Sequence, residues 1–286
     1  MNISVVIPAY NRGYIINRAV ESVLNQSYHA AEIIVVDDGS TDNTQQILKN
    51  YKNRIKVITQ ENKGVSSARN AGIKMASAEW IALLDSDDEW LSHKLANHVE
   101  YNRKNNILEI FQCEELWVRN GVRVNPRNKH RKYGGTIFKQ CLPLCIVSPS
   151  AVIFKKSLWQ EMNGFDESFS VCEDYDLWLR IAAKYPIGLD ARPGIIKYGG
   201  HKDQLSRAYP VIDEFRIKAL EKQINENSLP DKLRMLAVME AIRKTKIIIK
   251  GAEKRSRDTL QWQKKLLLYE SFKSALESST IAKEKK

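Results

Sequence analysis

The stretch Trp80–Asp88 reads WIALLDSDD, an apolar run that ends abruptly in three carboxylates. A short apolar run without a helical period, bounded by polar residues, is typical of a strand that is buried on both faces. The change from apolar to acidic residues marks the point where such a strand leaves the core. We therefore predict a buried strand over Trp80–Leu84 with an acidic loop at its carboxyl end.

Similar apolar runs come earlier in the chain, separated by segments with the period of an amphipathic helix. The predicted strands are Ile3–Ile7, Ala31–Val36, Ile55–Thr59 and Trp80–Leu84, and the predicted helices between them are Tyr14–Asn25, Asp42–Tyr51 and Val65–Met75. This alternation predicts an α/β fold, a Rossmann-like and mostly parallel sheet flanked by helices. Ligands bind beyond the carboxyl ends of the strands in such sheets, so the functional loops are expected there.

The remainder of the chain divides into an irregular middle and a helical end. In the middle, Asn120-Gly121 is a hairpin signal between the predicted strands Leu108–Val118 and Val122–Val124. A strand over Ser150–Phe154, a helix over Glu173–Ala183 and a strand over Ile195–Tyr198 follow, and the predicted C-terminal helices are Val211–Asn225, Pro230–Lys250 and Arg257–Leu276. We predict an α/β domain over residues 1–210 and a basic all-α extension over residues 211–286.

Net charge, the lengths of the apolar runs and the cysteine spacing limit the kinds of partner and location that the sequence predicts. The net charge of +11 suits a polyanion, yet no helix-turn-helix, zinc-finger or aromatic RNA-binding pattern accompanies it, so no nucleic-acid partner is predicted. No apolar run is long enough to span a bilayer and the first residues do not resemble a secretory signal, so a cytoplasmic location is expected. The four cysteines have no framework spacing, and free thiols are expected rather than a zinc site at Cys141 and Cys145.

The acidic loop is the sharpest candidate site. Carboxylates this close repel one another, so a folded protein keeps them together with a bound cation or with full solvation. Mg²⁺ and Mn²⁺ prefer oxygen ligands and keep coordination positions for phosphate oxygens. The alternative interpretation is that Asp87 or Asp88 caps a helix over Glu89–His98. Capping accounts for one aspartate rather than three, so the pattern favours a metal–nucleotide site.

A second acidic pair, Asp37-Asp38, follows the second predicted strand. An aspartate at the carboxyl end of a strand can accept a hydrogen bond from a ribose hydroxyl or a base N–H. Gly39 permits a tight turn, and the Ser40–Asp42 segment can cap the next helix. Neither the turn nor the cap accounts for Asp37 and Asp38, so this pair is a candidate for a functional role.

Together these motifs resemble the family 2 glycosyltransferases, which have the GT-A fold. The matching segments, in chain order, are Val6-Ile-Pro8-Ala-Tyr10-Asn11, Asp37-Asp38-Gly-Ser-Thr-Asp42, Asn62-Lys-Gly64 with Ala68-Arg69-Asn70, Asp85-Ser-Asp87-Asp88 and Cys172-Glu173-Asp174. The resemblance covers residues 1 to about 205. It implies a nucleotide-sugar-binding half over residues 1–105 and an acceptor half over residues 106–210.

The resemblance implies a donor site at the amino-terminal half. Pro8 and Tyr10 would line the nucleotide pocket, and Asp38 would recognise the base. Asn62 would belong to the same nucleotide-sugar site, and Arg69 would contact the nucleotide or its diphosphate. A UDP-sugar is the donor that the family implies.

It also implies the catalytic groups. Asp85 would reach the ribose or the metal, Asp87 would bind a divalent Mn²⁺ or Mg²⁺, and Asp174 would be the general base. His201 lies where related enzymes often carry a histidine near the metal or the diphosphate, and a purely structural histidine is the alternative.

The implied reaction is transfer of a sugar from a nucleotide-diphosphate sugar to an acceptor hydroxyl with inversion, a hexosyltransferase-type activity. A cation and Arg69 can neutralise the leaving diphosphate, and a carboxylate can take the proton of the acceptor hydroxyl. Direct attack needs no enzyme nucleophile. A nucleotidyltransferase is disfavoured because Pro8-Ala-Tyr-Asn11, rather than a glycine-rich loop, follows the first strand. A non-catalytic nucleotide-sugar-binding scaffold that recruits a partner through its helical tail stays open.

The sequence motifs do not identify the acceptor directly. By analogy it is a glycan or lipid-linked acceptor used in bacterial surface-polysaccharide synthesis. Arg127, Lys129, Arg131 and Lys132 are expected either to face an anionic acceptor or membrane, or to form a solvated loop. The C-terminal helices are expected either to pack on the α/β domain, or to contact a partner or the anionic inner face of the membrane. The pattern does not indicate an oligomeric state.

Overall fold

The computed structural model describes residues 1–200, 209, 211–226 and 228–284. Its strands are β1 Ile3–Ala9, β2 Glu32–Asp37, β3 Lys56–Thr59, β4 Trp80–Leu83, β5 Glu89–Trp90, β6 Ile110–Arg119, β7 Val122–Val124, β8 Val152–Lys155 and β9 Gly188–Gly199. Its α-helices are α1 Ile16–Leu24, α2 Thr44–Lys49, α3 Val65–Met75, α4 Lys94–Lys104, α5 Phe138–Cys141, α6 Lys156–Glu161, α7 Glu173–Ala182, α8 Ile212–Asn225, α9 Asp231–Glu253 and α10 Leu260–Glu284.

The strands form a single mixed sheet in the order β3-β2-β1-β4-β8-β6-β9-β5, with β7 paired to β6. The first four strands in this order are parallel, as their apolar sequences predict. The pairs β4–β8, β8–β6 and β9–β5 are antiparallel, whereas β6 and β9 are parallel to each other. The predicted α/β class is confirmed, and the second half of the sheet adds the antiparallel strands.

Alternate residues of the central strands enter two different cores. Val5 and Ile7 belong to the core on the side of α1 and α4, whereas Val6 belongs to the core on the side of α3 and α7. Side chains of a strand point to opposite faces in turn, so a strand covered on both faces has to be apolar at every position. All seven residues of β1 are buried accordingly.

The alternative interpretation of the acidic loop, a helix over Glu89–His98 capped by Asp87 or Asp88, is wrong. Glu89 and Trp90 form the short strand β5, which pairs with β9, and the helix that follows begins only at Lys94. Neither Asp87 nor Asp88 therefore caps a helix.

The C-terminal helices pack on the rest of the chain. Apolar residues of α8, α9 and α10 belong to the same core as those of α7. The buried Lys244 of α9 pairs with Asp213 of α8 at 2.9 Å and donates to the carbonyl of Pro143 at 3.0 Å. Lys222 of α8 pairs with the fully buried Asp176 of α7 at 2.8 Å. The packing interpretation is confirmed, while the division near residue 210 stays a prediction. Within the described part of the chain, no helix has the length and apolarity needed to cross a membrane.

Candidate active site

The carboxyl ends of the parallel strands bring the predicted nucleotide-binding residues to one edge of the sheet. Ala9 of β1 lies opposite Asp37 of β2, which in turn lies opposite Thr59 of β3. Pro8 is buried within β1, and Tyr10, the first residue beyond it, is 45% exposed. Exposure of a large aromatic ring at a strand end leaves a flat apolar surface for a planar ligand.

Asp38 organises the neighbouring loop. Its Oδ1 accepts hydrogen bonds from Gln60 Nε2 at 2.7 Å and from the backbone N–H of Lys63 at 2.9 Å, and its Oδ2 accepts one from Gly64 at 2.8 Å. The exposed Asn62 lies in this loop, close to Gly39. Gly39 has φ of +76°, and a Cβ there would lie 2.7 Å from the backbone nitrogen of Asn62. Only glycine therefore allows the two loops to approach.

A second tie joins the ends of β1 and β2. Asn11, in the left-handed region at φ 52°, accepts a hydrogen bond from Thr41 N–H at its Oδ1 and donates its own N–H to Ser40 Oγ. The fully buried Asp37 accepts from the N–H of Ser40 at Oδ1, while its Oδ2 has no hydrogen-bond partner among the described residues. The loop geometry is thus fixed by polar contacts before any ligand is bound.

The three carboxylates of the acidic loop have different roles. Asp88 is buried, accepts hydrogen bonds from Ser150 Oγ at 2.6 Å and Tyr198 N–H at 3.3 Å, and closes the turn by donating its N–H to the carbonyl of Asp85. Burial and its acidic neighbours raise the pKa of Asp88 well above its usual range, against the opposing charge of Lys197. Asp88 is therefore structural, which leaves Asp85 and Asp87 for a ligand.

Asp85 and Asp87 are both half-buried. Burial and the charge of Asp85 raise the pKa of Asp87, although Arg12 and Lys197 lower it. Like charges held this close favour a bound cation, and the two carboxylates fit one that takes its other ligands from water and phosphate. The described residues include no group of three or more His, Cys, Asp or Glu side chains that could hold a metal. His201, the other predicted metal ligand, lies outside the described residues.

Arg69 joins the acidic loop to α7. Its guanidinium, 4% exposed, donates to Asp85 Oδ1 at 2.7 Å and to Glu173 Oε1 at 2.5 Å. Burial alone would lower the pKa of Arg69, but the charges of Asp85 and Glu173 outweigh it and raise the pKa. The contact between Arg69 and the nucleotide or its diphosphate stays a prediction. In the structure, the two terminal nitrogens of Arg69 bind protein carboxylates, which positions the two motifs against each other.

Asp174, the predicted base, follows Glu173 in the first turn of α7. Cys172, just before the helix, has φ of 66°, a left-handed conformation that costs energy for a residue with a side chain. Asp174 Oδ2 accepts a hydrogen bond from Cys145 Sγ at 3.4 Å. Burial and the charge of Asp174 raise the pKa of the Cys145 thiol well above its usual range, so the thiol stays a proton donor.

Burial raises the pKa of Glu173, Arg69 lowers it and Asp174 raises it, with a net pKa of about 7. Arg69 and Asp174 therefore act on Glu173 in opposite directions. Neither the local pattern nor the motif singled out Glu173 as the partner of Arg69, because the two residues lie 104 positions apart.

Lys197 of β9 is a further charged group that sequence reasoning did not identify. Its Nζ donates to Ser148 Oγ at 3.0 Å. Burial lowers the pKa of Lys197, but Glu115, Asp88, Asp85 and Asp174 raise it more, so it stays charged. One cation thus faces the acidic loop and the predicted base together. A lone lysine in an apolar strand pattern at Ile195–Tyr198 was the only signal in the sequence.

One of the four predicted residues of the basic loop, Lys132, does not lie at the surface. Lys132 is buried and pairs with Glu115 at 2.8 Å, so the expectation that it faces an acceptor is wrong. Arg127, Lys129 and Arg131 are exposed, as expected. All four cysteines are free, with Cys113, Cys141 and Cys172 buried.

Comparisons with known proteins agree with this arrangement. The model of the family described as glycosyl transferase family 2 matches residues 4–162, more than half of the chain. An uncharacterized glycosyltransferase of Rickettsia bellii is 34% identical over 188 residues, which are 65% of this chain but only 27% of that protein. The Escherichia coli protein WfgD, named a UDP-Glc:alpha-D-GlcNAc-diphosphoundecaprenol beta-1,3-glucosyltransferase, is 35% identical over 63% of this chain and 69% of its own length.

Solved structures with the same fold are more distant in sequence. Staphylococcus aureus TarS 1-349 in complex with UDP-GlcNAc matches with a TM-score of 0.72 at 20% identity, over 94% of this chain and 77% of that one. The mannosyltransferase PcManGT of Pyrobaculum calidifontis, in complex with GDP-Man and Mn²⁺, matches with a TM-score of 0.61 at 16% identity, over 98% and 87% of the two chains. These structures confirm the predicted GT-A fold, and the match of the family model over residues 4–162 shows that the chain belongs to glycosyl transferase family 2.

Proposed function

We propose that this chain transfers a sugar from a nucleotide-diphosphate sugar, with a UDP-sugar as the first donor to test, to a hydroxyl of a lipid-linked glycan. The observation that carries the proposal is the bridge from Asp85 through Arg69 to Glu173, because it holds the acidic loop beside Asp174. The relative WfgD acts, by its name, on a diphosphoundecaprenol acceptor, which supports a place in bacterial surface-glycan synthesis.

The donor would lie across the ends of β1, β2 and β4. In this proposal the ring of Tyr10 and the backbone near Pro8 flank the base, and Asp38 recognises it. Because the carboxylate of Asp38 is already oriented by Lys63 and Gly64, it needs little reorganisation to accept a base N–H. Asn62, in the loop that Asp38 holds, would contact the nucleotide sugar.

Asp85 and Asp87 would hold a divalent cation, with His201 as a further ligand in the same proposal. When bound, the cation neutralises charge on the leaving diphosphate. Lys197, which faces the same carboxylates, adds positive charge on the acceptor side. In this proposal Asp85 and Asp87 hold the cation that faces the diphosphate, and Lys197 adds the charge of its ammonium group nearby.

Asp174 would take the proton of the acceptor hydroxyl as that oxygen attacks C1 of the sugar. The new bond joins the acceptor oxygen to C1 as the bond from C1 to the diphosphate oxygen breaks, so a single displacement inverts the anomeric centre. The thiol of Cys145 on Oδ2 and the N–H of Tyr175 on Oδ1 orient the carboxylate. Base catalysis of this kind contributes about 10²–10⁴-fold to the rate.

A peripheral membrane position on the cytoplasmic side belongs to the same proposal. Ile247 of α9 and Leu267 and Leu268 of α10 are about half or more exposed, at 49%, 67% and 51%. The exposed Lys246 and Lys264 are in the same two helices. Exposed apolar groups among lysines suit the surface of an anionic bilayer. Co-sedimentation with anionic vesicles is expected for the wild type and should weaken in Leu267→Ser/Leu268→Ser; equal pelleting of both would contradict the membrane contact.

The test of the donor site is calorimetric titration of UDP, GDP, CDP and TDP with and without Mn²⁺. Wild type is compared with Asp87→Ala and with a control, Glu79→Ala, which removes an exposed carboxylate just before the other end of β4. One nucleotide should bind in a metal-dependent way to the wild type and the control, and not to Asp87→Ala. The anomeric configuration of the product, read by NMR, then tests inversion. Absence of binding by every nucleotide would overturn the enzyme proposal and favour a scaffold.

A further inference from the structure

A second groove lies on the acceptor side, outside the strand ends assigned to the donor. It has a volume of about 340 Å³ and is formed by the β6–β7 hairpin and the segment that follows it. Its lining residues are Trp117, Arg119, Val124, Asn125, Pro126, Arg127, Lys129 and His130. We call these residues the basic groove.

Among the residues that the structure describes, the cations of the basic groove have no carboxylate partner. Arg119, Arg127 and Lys129 are exposed, and none forms an ion pair with another described residue. The lining contains no carboxylate. The nearby Glu115 is engaged elsewhere, since it pairs with Lys132 and accepts a hydrogen bond from Trp117 Nε1 at 2.8 Å. Cations left without carboxylates around a concave surface suit an anionic ligand.

The aromatic side of the basic groove is fixed in position. The hydrogen bond to Glu115 holds the indole of Trp117, and His130 packs against it with ring centroids 5.0 Å apart. A held indole offers a rigid apolar face at low entropic cost, which suits the apolar face of a sugar ring. The groove thus combines a platform for a sugar with cations for phosphate.

The basic groove is linked to the candidate active site through the pairing of β6 with β9. Trp117 of β6 lies opposite Lys197 of β9 in register, so the two side chains share a face of the sheet. Lys197 is within electrostatic range of Asp85 and Asp174, and His130 is within range of Lys197 and Glu115. The Trp117 end of the groove therefore shares a sheet face with Lys197, whose charge acts on the candidate base Asp174.

We propose that the basic groove binds the diphosphate of a lipid-linked sugar acceptor, with Trp117 beneath the sugar and Arg119, Arg127 and Lys129 on the phosphates. This inference rests on the proposed function and names the part of the chain that selects the acceptor. It places the acceptor's sugar at the Trp117 end of the basic groove, towards Asp174. A neutral acceptor of the same sugar would lack the phosphate contacts.

The test compares two acceptors, an N-acetylglucosaminyl diphosphate on a short alkyl chain and the same sugar on that chain without phosphate. The variant is Arg127→Ala/Lys129→Ala. The matched control is Arg123→Ala, an exposed cation of β7 that does not line the groove, because side chains alternate along a strand. A charge-assisted contact to phosphate is worth about tenfold in affinity or more, so the double variant should raise the KM for the diphosphate acceptor about a hundredfold. Its KM for the neutral acceptor and for the UDP-sugar should match those of the control.

Two results would overturn the proposal. One is an equal rise in KM for both acceptors or no rise at all. The other is a loss of binding to phosphatidylglycerol vesicles by the double variant with an unchanged KM for the diphosphate acceptor, because the ligand would then be a lipid headgroup.

Failure of the proposed function would be recognised separately, as absence of UDP-sugar binding in the wild type. The groove is then tested by calorimetric titration of the sugar diphosphate alone. Binding by wild type that is lost in the double variant supports the groove, and absence of binding by wild type overturns it.

Discussion

The two faces of the sheet differ in whether their buried basic side chains have partners. On the face of α3 and α7, the buried Arg69 has two carboxylate partners, Asp85 and Glu173. On the face of α4, the buried Lys94 has no hydrogen-bond partner at Nζ among the described residues and lies 4.0 Å from the centre of the Trp90 ring. His98, one turn further along α4, is also buried, and neither of its ring nitrogens has a described partner.

The difference shows in the pKa values: a buried group with charged partners keeps its charge, whereas burial without such partners favours the neutral form. Burial and the neighbouring cations Lys94 and Arg192 lower the pKa of His98 well below its usual range, so that ring is neutral. Arg69, by contrast, stays charged because its partners outweigh its burial. A paired charge fixes two segments relative to each other, whereas an unpaired one costs stability. The face with paired charges is the one that carries the candidate base.

The largest effect is expected from Asp174→Asn. If the paired face is the catalytic one, loss of the base should lower kcat by about 10²–10⁴-fold while UDP affinity stays unchanged, since Asp174 would act on the acceptor. Steady-state kinetics and calorimetry on the same preparation measure both. Glu79→Gln serves as the control for loss of a carboxylate. A fall in UDP affinity as large as the fall in kcat would contradict the assignment.

Arg69→Met should break the paired face by leaving Glu173 buried without its counterion. Removing one partner of a buried pair costs about 3–5 kcal/mol, so the free energy of unfolding should fall by that amount in urea titration. The double variant Arg69→Met/Glu173→Gln removes the uncompensated charge and should recover most of the stability but not the activity. Equal stability of the single and double variants would show that Glu173 is not held as a charge by Arg69.

Lys94→Met should stabilise the unpaired face. Burial lowers the pKa of Lys94 from 10.5 to about 8, so the folded state binds this proton less tightly than the unfolded state does. The resulting cost is full below pH 8 and disappears above pH 10.5. The variant should therefore gain up to about 3 kcal/mol at pH 7, with a smaller gain as the pH rises towards 10. Lys104→Met, an exposed lysine at the end of the same helix, should show no such gain. A gain for Lys94→Met that is independent of pH would point to packing rather than charge.

Local pattern was enough to predict which strand ends meet at the proposed donor site. Each parallel strand is an apolar run that ends in polar residues, and the carboxyl ends of parallel strands meet at one edge of the sheet. The ends of β1, β2 and β4 could therefore be placed together from sequence alone. The structural role of Asp88 could not, because Ser150 and Tyr198, its partners, lie 62 and 110 positions away.

The structure around the proposed acceptor site depends on strand and side-chain pairings between residues far apart in sequence, which no local pattern specifies. Lys132 was grouped with its basic neighbours, yet it is the one that turns inward to Glu115, and only the path of β6 explains why. The alternative interpretation of a helix over Glu89–His98 is excluded because Glu89 and Trp90 pair as a strand with Ile196 and Ile195 of β9, far along the chain. The confirmed Asn120-Gly121 hairpin shows the contrast, since both of its strands adjoin the turn.

The bridge from Asp85 through Arg69 to Glu173 also limits how this enzyme can be recombined. A chimera that takes residues 1–105 from one relative and the remainder from another divides the bridge, with Arg69 and Asp85 from one parent and Glu173 from the other. Where the second parent has no carboxylate at that position, Arg69 loses one of its two partners, and the candidate base Asp174 is no longer held in place relative to the acidic loop. A domain graft intended to exchange acceptor preference therefore has to transfer Arg69, Asp85 and Glu173 together from one parent.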